Sequence, residues 1–540
     1  MAHVGSLRRS RTPVAVALSD DVCRKPVVVA RSDAVCGYIL LASRAYNLLA
    51  SRAYDLLASR APPLAGSGSL SSSVAVSAAA GFPKWVLLEP FVFRRDDDDS
   101  FPDETKAPIR ASGLTSWGAR FSIAFSLAEP PLISHIYAQL PVPGFPGPDE
   151  GDPLAILATH GPLALLRVAT HTPTLLLLQD LFIYSAHENP CLLKILPPCT
   201  EPAFADGQFL GRPATPRLLN TASTGLWCRG NQFVVAELSL YRPGSSFMVF
   251  ADICLLRSCT SSSHNRCDGR WKSMLAEILS ANPDDNDLRH LSSWQTETII
   301  PFRKWLCWID YNRGILFCNM SKVTPTVSFL EFPLDKFPLT STRIATGNCW
   351  YRGVSIVDHG RELKFVNVAR QDGIFFEALE PGTGFTITCH TLVLDCRMVW
   401  KKDYTVTSDE LWDANASDRL PRGILMFPRV DIDRPHVVHF LYIEFGHVEK
   451  NMWVVAIDMS TKTVESLSVY IDRKDSSTDT LCIKTVEDLR HFQRESLRTD
   501  SLIRQKSMSP MPFLPCEFPK FLSRKMTKST SAVRSLNGQK

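Results

Sequence analysis

Trp305-Leu-Cys-Trp308-Ile-Asp310-Tyr-Asn-Arg-Gly314-Ile-Leu-Phe-Cys318 is two short apolar runs joined by Tyr311-Asn312-Arg313. Runs of this length, rich in aromatic and β-branched side chains and bounded by Asp, Asn and Gly, read as two strands of a hairpin. The same pattern recurs on both sides of it. Residues 233–240 read as a strand with 246–256 as its partner, and 363–368, Phe385–Leu394 and Val437–Ile443 follow. The clearest hairpin is 453–459, then Ser460-Thr-Lys-Thr463, then 464–470. Helical signals are few, at 271–279, 408–412 and 485–505.

Hairpin pairs recur every ~40 to 60 residues, the interval expected when a four-stranded unit repeats radially. Asp310 and Asp458 end their runs as the strand-ending aspartates of propeller blades do. The expected fold is therefore all-β and β-propeller-like, with about five to seven blades. Tandem β-sandwiches are the alternative. Composition agrees: 45% of the 540 residues are hydrophobic, enough for a large core, and 37 prolines against 27 glycines suit many strands joined by stiff turns.

Charge is unevenly placed. Residues 484–540 carry 12 basic and 5 acidic side chains and residues 1–80 carry 9 and 4, so a chain of net +4 holds about −8 in its middle. An acidic centre argues against nucleic-acid binding by the folded part, leaving only a weak contact through the basic ends. The 15 cysteines include no C-x-x-C pair, and Cys254, Cys307, Cys318 and Cys389 lie in apolar runs. They read as reduced, buried thiols of an intracellular protein, cytoplasmic or nuclear. The glycosylation-like triplets Asn319-Met-Ser321 and Asn415-Ala-Ser417 are then chance matches. The longest apolar stretch, 162–182, is broken by Arg167, His171 and Pro173, so no membrane span is expected.

Three regions follow. Residues 1–81 form a leader rich in Arg, Ser and Ala, without a secretory signal; it reads as disordered or as a transit peptide for chloroplast or mitochondrion. Leu40-Leu-Ala-Ser-Arg-Ala-Tyr-Asn47 recurs at 48–55 and, truncated, at 56–61. A period of eight turns a helix by about 800°, so no continuous apolar stripe forms. Residues 82–472 are the β-propeller-like domain, expected to be monomeric. Residues 473–540 are a basic linker and tail, in which 511–522 pack back on the domain.

The 305–318 segment resembles the signature of a plant family, greatly expanded in grasses, catalogued as domain of unknown function 1618. Trp350-Tyr-Arg-Gly353-Val-Ser, Leu363-Lys-Phe-Val-Asn367-Val, Val399-Trp400-Lys-Lys-Asp403-Tyr, Trp453-Val-Val and Phe513-Leu-Pro-Cys-Glu-Phe-Pro519 agree with it. The likeness covers most of 82–522. The family implies no reaction and no catalytic residues. It is distantly similar to the propellers that follow F-boxes in plant ubiquitin-ligase adaptors, although here the leader repeat stands in place of an F-box-like helical segment.

No nucleophile elbow or Walker motif is present, and Gly382-Thr-Gly384 reads as a turn after Pro381. Asp96 to Asp99 read as a solvated turn. Cys254, Cys259, His264 and Cys267 offer soft zinc ligands, but Cys254 belongs to a strand and the others to a Ser-rich loop. His436 and His439, like Cys389 and His390, alternate faces of a strand and cannot act jointly. Asp284-Asp285 lie in a turn; Asp431 and Asp433 share a face if their strand is regular, and read as a solvated edge. Trp305 and Trp308 read as core between sheets. The 485–505 segment reads as a solvated basic linker. The resulting expectation is a non-enzymatic protein-interaction platform with no catalytic, cofactor or metal residues. The alternative is an enzyme whose site is dispersed along a propeller channel.

Overall fold

The computed structural model describes residues 82–470 and 513–522, except 97, 142–143, 147–152, 172–176, 188–192, 202–218, 231, 244–247, 259–268, 282–287, 335–347, 373–377, 416–419, 421 and 444–451. The leader repeat, the 485–505 segment, Asp284-Asp285, and Cys259, His264 and Cys267 lie outside the described residues.

The signature hairpin is β14 (Trp305–Asp310) and β15 (Gly314–Asn319), completed by β13 (Thr298–Phe302) and β16 (Val327–Glu331) into an antiparallel four-stranded unit. Two similar units precede it: β5 (Leu154–His160) to β8 (Lys194–Ile195) through β6 (Leu163–His171) and β7 (Leu177–Ser185), and β9 (Thr224–Arg229) to β12 (Lys272–Ser280) through β10 (Gln232–Tyr241) and β11 (Phe250–Arg257). Two follow: β17 (Arg352–Val357) to β20 (Met398–Thr407) through β18 (Glu362–Arg370) and β19 (Phe385–Leu394), and β21 (Leu425–Val430) to β24 (Thr463–Val469) through β22 (Val437–Ile443) and β23 (Met452–Asp458).

The first unit departs from this plan. β2 (Ile109–Leu114), β3 (Arg120–Ser126) and β4 (Ile133–Gln139) are antiparallel, but β1 (Val86–Arg94) joins β4 in parallel. The free side of β1 is taken by β25 (Leu514–Cys516), from the far end of the described chain.

Sheet interiors bury alternate side chains on both faces, so each unit presents two apolar surfaces that neighbours must cover. Five core clusters do this in order. The first two units share Phe121, Phe125, Leu166 and Tyr184, and the next pair shares Leu165, Ile183, Val235 and Trp271. The third and fourth share Ile253 with Trp308 and Leu316, and the fourth and fifth share Phe317 with Phe365. The last cluster joins Val366 and Ile387 to Val438 and Ile457 and also takes in Trp85, Leu87 and Ile133 of the first unit and Phe513. Six units packed in a closed cycle make a β-propeller-like fold, within the expected range of blades; tandem sandwiches would not return to the first unit.

Turn chemistry fixes the registers. Asp310 accepts from the Asn312 backbone N–H at 2.9 Å, and Asp458 from Ser460 at 2.8 Å, so these aspartates end their strands by building the next turn. Glu380-Pro381-Gly382-Thr383 closes with Thr383 N–H on the Glu380 carbonyl at 3.0 Å and Gly382 at φ 80°, the geometry a proline–glycine pair favours. The helix α1 (Ser408–Ala414) opens with a capping box between Thr407 and Glu410.

One expected helix is corrected. The helix expected at 271–279 is replaced by β12, whose residues Lys272 to Glu277 pair with β11 and whose last residues, Ile278 to Ser280, pair in parallel with β16. Two neighbours supply its hydrogen bonds, which outweighs a helical spacing of apolar residues. The strand expected at 246–256 begins at Phe250.

Candidate functional site

A group of buried ionisable side chains gathers where the fourth unit meets the fifth. Residues 295–297 lead into β13 beside the turn that follows β14, and β17 begins alongside. The Glu297 Oε2 accepts the Tyr311 backbone N–H at 2.7 Å, and the Cys349 thiol hydrogen-bonds to the same carboxylate. Burial, reinforced by the Asp310 charge, raises the Glu297 carboxyl to about 6. Burial also raises the Cys349 thiol to about 12 and lowers the Arg352 guanidinium to about 10, the latter against the attraction of Glu297 and Asp310. Arg352 donates to the Tyr311 carbonyl at 2.5 Å and to Asn367 Oδ1 at 2.9 Å. Asp310, fully buried, accepts from the Gln295 backbone N–H at 2.9 Å and from the Arg313 guanidinium at 2.7 Å.

The contacts of both carboxylates close turns and tie strands. Glu297 holds a proton far more readily than an exposed glutamate, which gives it acid–base capacity near neutral pH. Cys349 at about 12 is a thiol and not a nucleophile.

Elsewhere the expected pairs are separated. His439 is buried with Nε2 3.2 Å from Asp431 Oδ2, whereas His436 faces Asp458 at 3.9 Å. β21 ends at Val430, so Asp431 and Asp433 do not share a strand face: Asp431 accepts from the backbone N–H groups of Asp433 and Arg434, each at 3.0 Å. Burial would raise the Asp431 carboxyl, but the hydrogen bonds and charges of His439 and Arg434 bring it below its ordinary value. Cys389 is buried, its thiol pushed by that burial to about 12. Trp308 packs fully buried towards the third unit, whereas Trp305, on the opposite face of β14, is half-buried and packs against the core shared with the fifth.

In the aspartate run, Asp98 and Asp99 are exposed in a turn, and Asp96 and Asp98 also make specific contacts. Asp96 binds Arg94 at 2.7 Å and accepts the Leu140 backbone N–H at 3.0 Å, and Asp98 accepts from Gln139 at 2.7 Å. These carboxylates fasten the loop between β1 and β2 to the end of β4. A cleft of about 330 Å³ beside them is lined by Asp98, Phe101, Asp103, Arg110 and Ser112. Within it Ser112 meets Ser122 at 3.1 Å and Arg110 stacks on Phe101.

Two groupings had no signal in the sequence. Cys228 donates its backbone N–H to His160 Nδ1 at 2.8 Å, burial lowers that histidine to about 4, and the Cys228 thiol is raised to about 12. Cys199 and Cys254 place their sulfurs 3.4 Å apart. Among the described residues no three His, Cys, Asp or Glu side chains are grouped to hold a metal ion, and no helix is long and apolar enough to cross a membrane.

Residues 308–439, which include Asp310, Tyr311, Cys349 and Arg352, match the model of a family described as protein of unknown function (DUF1618). No curated protein matches this chain. Among solved structures, the α-L-arabinofuranosidase PaAbf62A of Podospora anserina is 10% identical over 56% of this chain and 89% of its own, with a TM-score of 0.23. A polysaccharide lyase acting on ulvan is 8% identical over 58% and 83%, with a TM-score of 0.26. The β-propeller domain of the Trilobed protease of Pyrococcus furiosus is 9% identical over 59% and 97%, with a TM-score of 0.24. Likenesses at this level say nothing of this chain's activity, and its architecture rests on its own strand order and cores.

Proposed function

We propose that this protein is a non-enzymatic protein-interaction platform of a plant cell, acting in the cytoplasm or nucleus. One observation carries the reading: a large aromatic side chain displayed on a rigid turn. The β2–β3 turn closes through Thr115 N–H on Ala119 and Gly118 N–H on Thr115, both at 2.9 Å. Ser116 then docks on the buried Asp180 of β7 through its backbone N–H at 2.8 Å and its hydroxyl at 3.0 Å. Trp117 and Leu114 are left 53% exposed. β2 is the outermost strand of the first unit, so this tip stands at the rim. Aromatic side chains already held in place lose little entropy on association, and they dominate interface energetics.

The test is partner capture in plant cells by the full chain, by Trp117→Ala and by Leu114→Ser. Loss of partners by both variants at unchanged Tm supports a rim platform; an unchanged partner set removes it.

The enzyme reading is favoured by the raised Glu297 carboxyl. A metabolite screen by thermal shift on the wild type and Glu297→Gln separates the two. A small molecule that stabilises the wild type and not the variant supports a reaction site at the 297–352 cluster.

A further inference from the structure

We propose that Cys199 and Cys254 form a reversible disulfide, a modification site that fastens the connection after β8 to the third unit. Their sulfurs are 3.4 Å apart, so closing to a bond of about 2.05 Å needs a movement of a little over ~1 Å. Neither takes part in a disulfide in the structure, and both are buried. The pairing is set by the fold. Cys254 is fixed mid-strand in β11, opposite Glu237 of β10 and Ser273 of β12. Cys199 is held over it by two anchors: Leu196 N–H on the Leu181 carbonyl at 2.8 Å, and the Trp271 indole N–H on the Pro197 carbonyl at 2.8 Å.

The environments of the two differ in a way that orders the reaction. Cys199 belongs to a surface segment in which Pro197, Pro198 and Thr200 are exposed, so a small displacement there brings its sulfur to solvent. Cys254 is enclosed between strands. The oxidant is a low-molecular-weight disulfide of the glutathione class. Cys199 gives its proton to water, and its thiolate attacks one sulfur of the small disulfide, whose S–S bond breaks to release one thiolate. Cys254 likewise gives up its proton and attacks the Cys199 sulfur, expelling the second small thiolate. The two released thiolates take up the two protons. Two protein thiols are oxidised, and one small disulfide is reduced to two thiols.

The closed bond restricts the chain between 199 and 254 in the unfolded state and joins the second unit's exit to the third unit's sheet, so it stabilises the fold. The experiment incubates the full chain with oxidised glutathione, blocks remaining thiols in denaturant, and maps peptides without reduction. The expected result is a Cys199–Cys254 link as the main product and a Tm several degrees higher, both reversed by dithiothreitol. Cys254→Ser should instead accumulate a glutathione adduct at Cys199, and neither it nor Cys199→Ser should show the Tm rise. Absence of the link in the oxidised wild type overturns the proposal, and that measurement depends on no variant. A link distributed mainly over other cysteine pairs, or an equal Tm rise in Cys199→Ser, overturns it too.

Discussion

Glu297 shows what a single buried carboxylate does to the molecule. Its folded value of about 6 stands above the ordinary 4.5, so the native state binds a proton that the unfolded state has released. Stability from this group is present below pH ~4.5 and is lost as pH rises through about 6. Glu297→Gln keeps an oxygen to accept the Tyr311 N–H and removes the charge. Urea unfolding should show the variant more stable than wild type by about 2 kcal/mol at pH 7.5 and equal to it at pH 4.5. A variant that is less stable at pH 7.5 would mean that the attraction of Arg352 outweighs burial. The site was only half legible in the sequence. Asp310 was readable as a strand-ending residue because its own turn lies next to it in the chain. Glu297 was not, because its neighbours carry no motif and its partners Tyr311, Cys349 and Arg352 arrive only when β13, β14 and β17 assemble. His439 and Asp431 were opaque for the same reason, since β21 ends at Val430 and the turn beyond it brings the Asp431 carboxylate back to His439.

Hairpins were the legible element. β14, β15, β19 and β22 match their expected bounds because apolar runs and turn residues are both local signals. β12 was not legible: Trp271, Met274, Leu275 and Ile278 fall at helical intervals, and only the neighbouring strands β11 and β16 decide otherwise. The approach of β17 to β21 was equally hidden. A side chain at Gly353 would collide with the Pro428 carbonyl oxygen and meet the Arg429 guanidinium at 3.0 Å. Backbone carbonyls do not retract as side chains do, so Gly353→Ala should lower stability by about 3 kcal/mol, read as a fall in the urea midpoint at unchanged m. A neutral result would show that the two strands can separate at that point without loss.

At the scale of the whole molecule, closure depends on a few residues far along the chain. Leu514–Cys516 pairs with β1, Phe518 is fully buried against Phe125 and Tyr184, and buried Arg429 donates to the Phe513 carbonyl at 3.0 Å. Tyr470 adds a hydroxyl bond to Glu89 across the same seam. Deleting 511–540 should therefore speed backbone amide exchange in β1 and at the seam between the first and last units, while β14 and β15 keep their protection. Uniform protection in the deleted chain would show that the core shared by Trp85, Leu87 and the sixth unit holds the ring alone. The cyclic arrangement itself was legible only as a repeat of hairpins. The parallel pairing of β1 skips two strands to reach β4, and its other partner lies more than 400 positions away, and no local pattern records either. That distance also sets an order of events on the ribosome. β1 is among the first strands to emerge, and about 430 residues must be added before its second partner leaves the exit tunnel, roughly 20 to 90 s at ordinary rates of translation. For that interval the nascent chain carries an unpaired strand edge beside unfilled apolar pockets, so a holding chaperone has a defined place and a defined time to act.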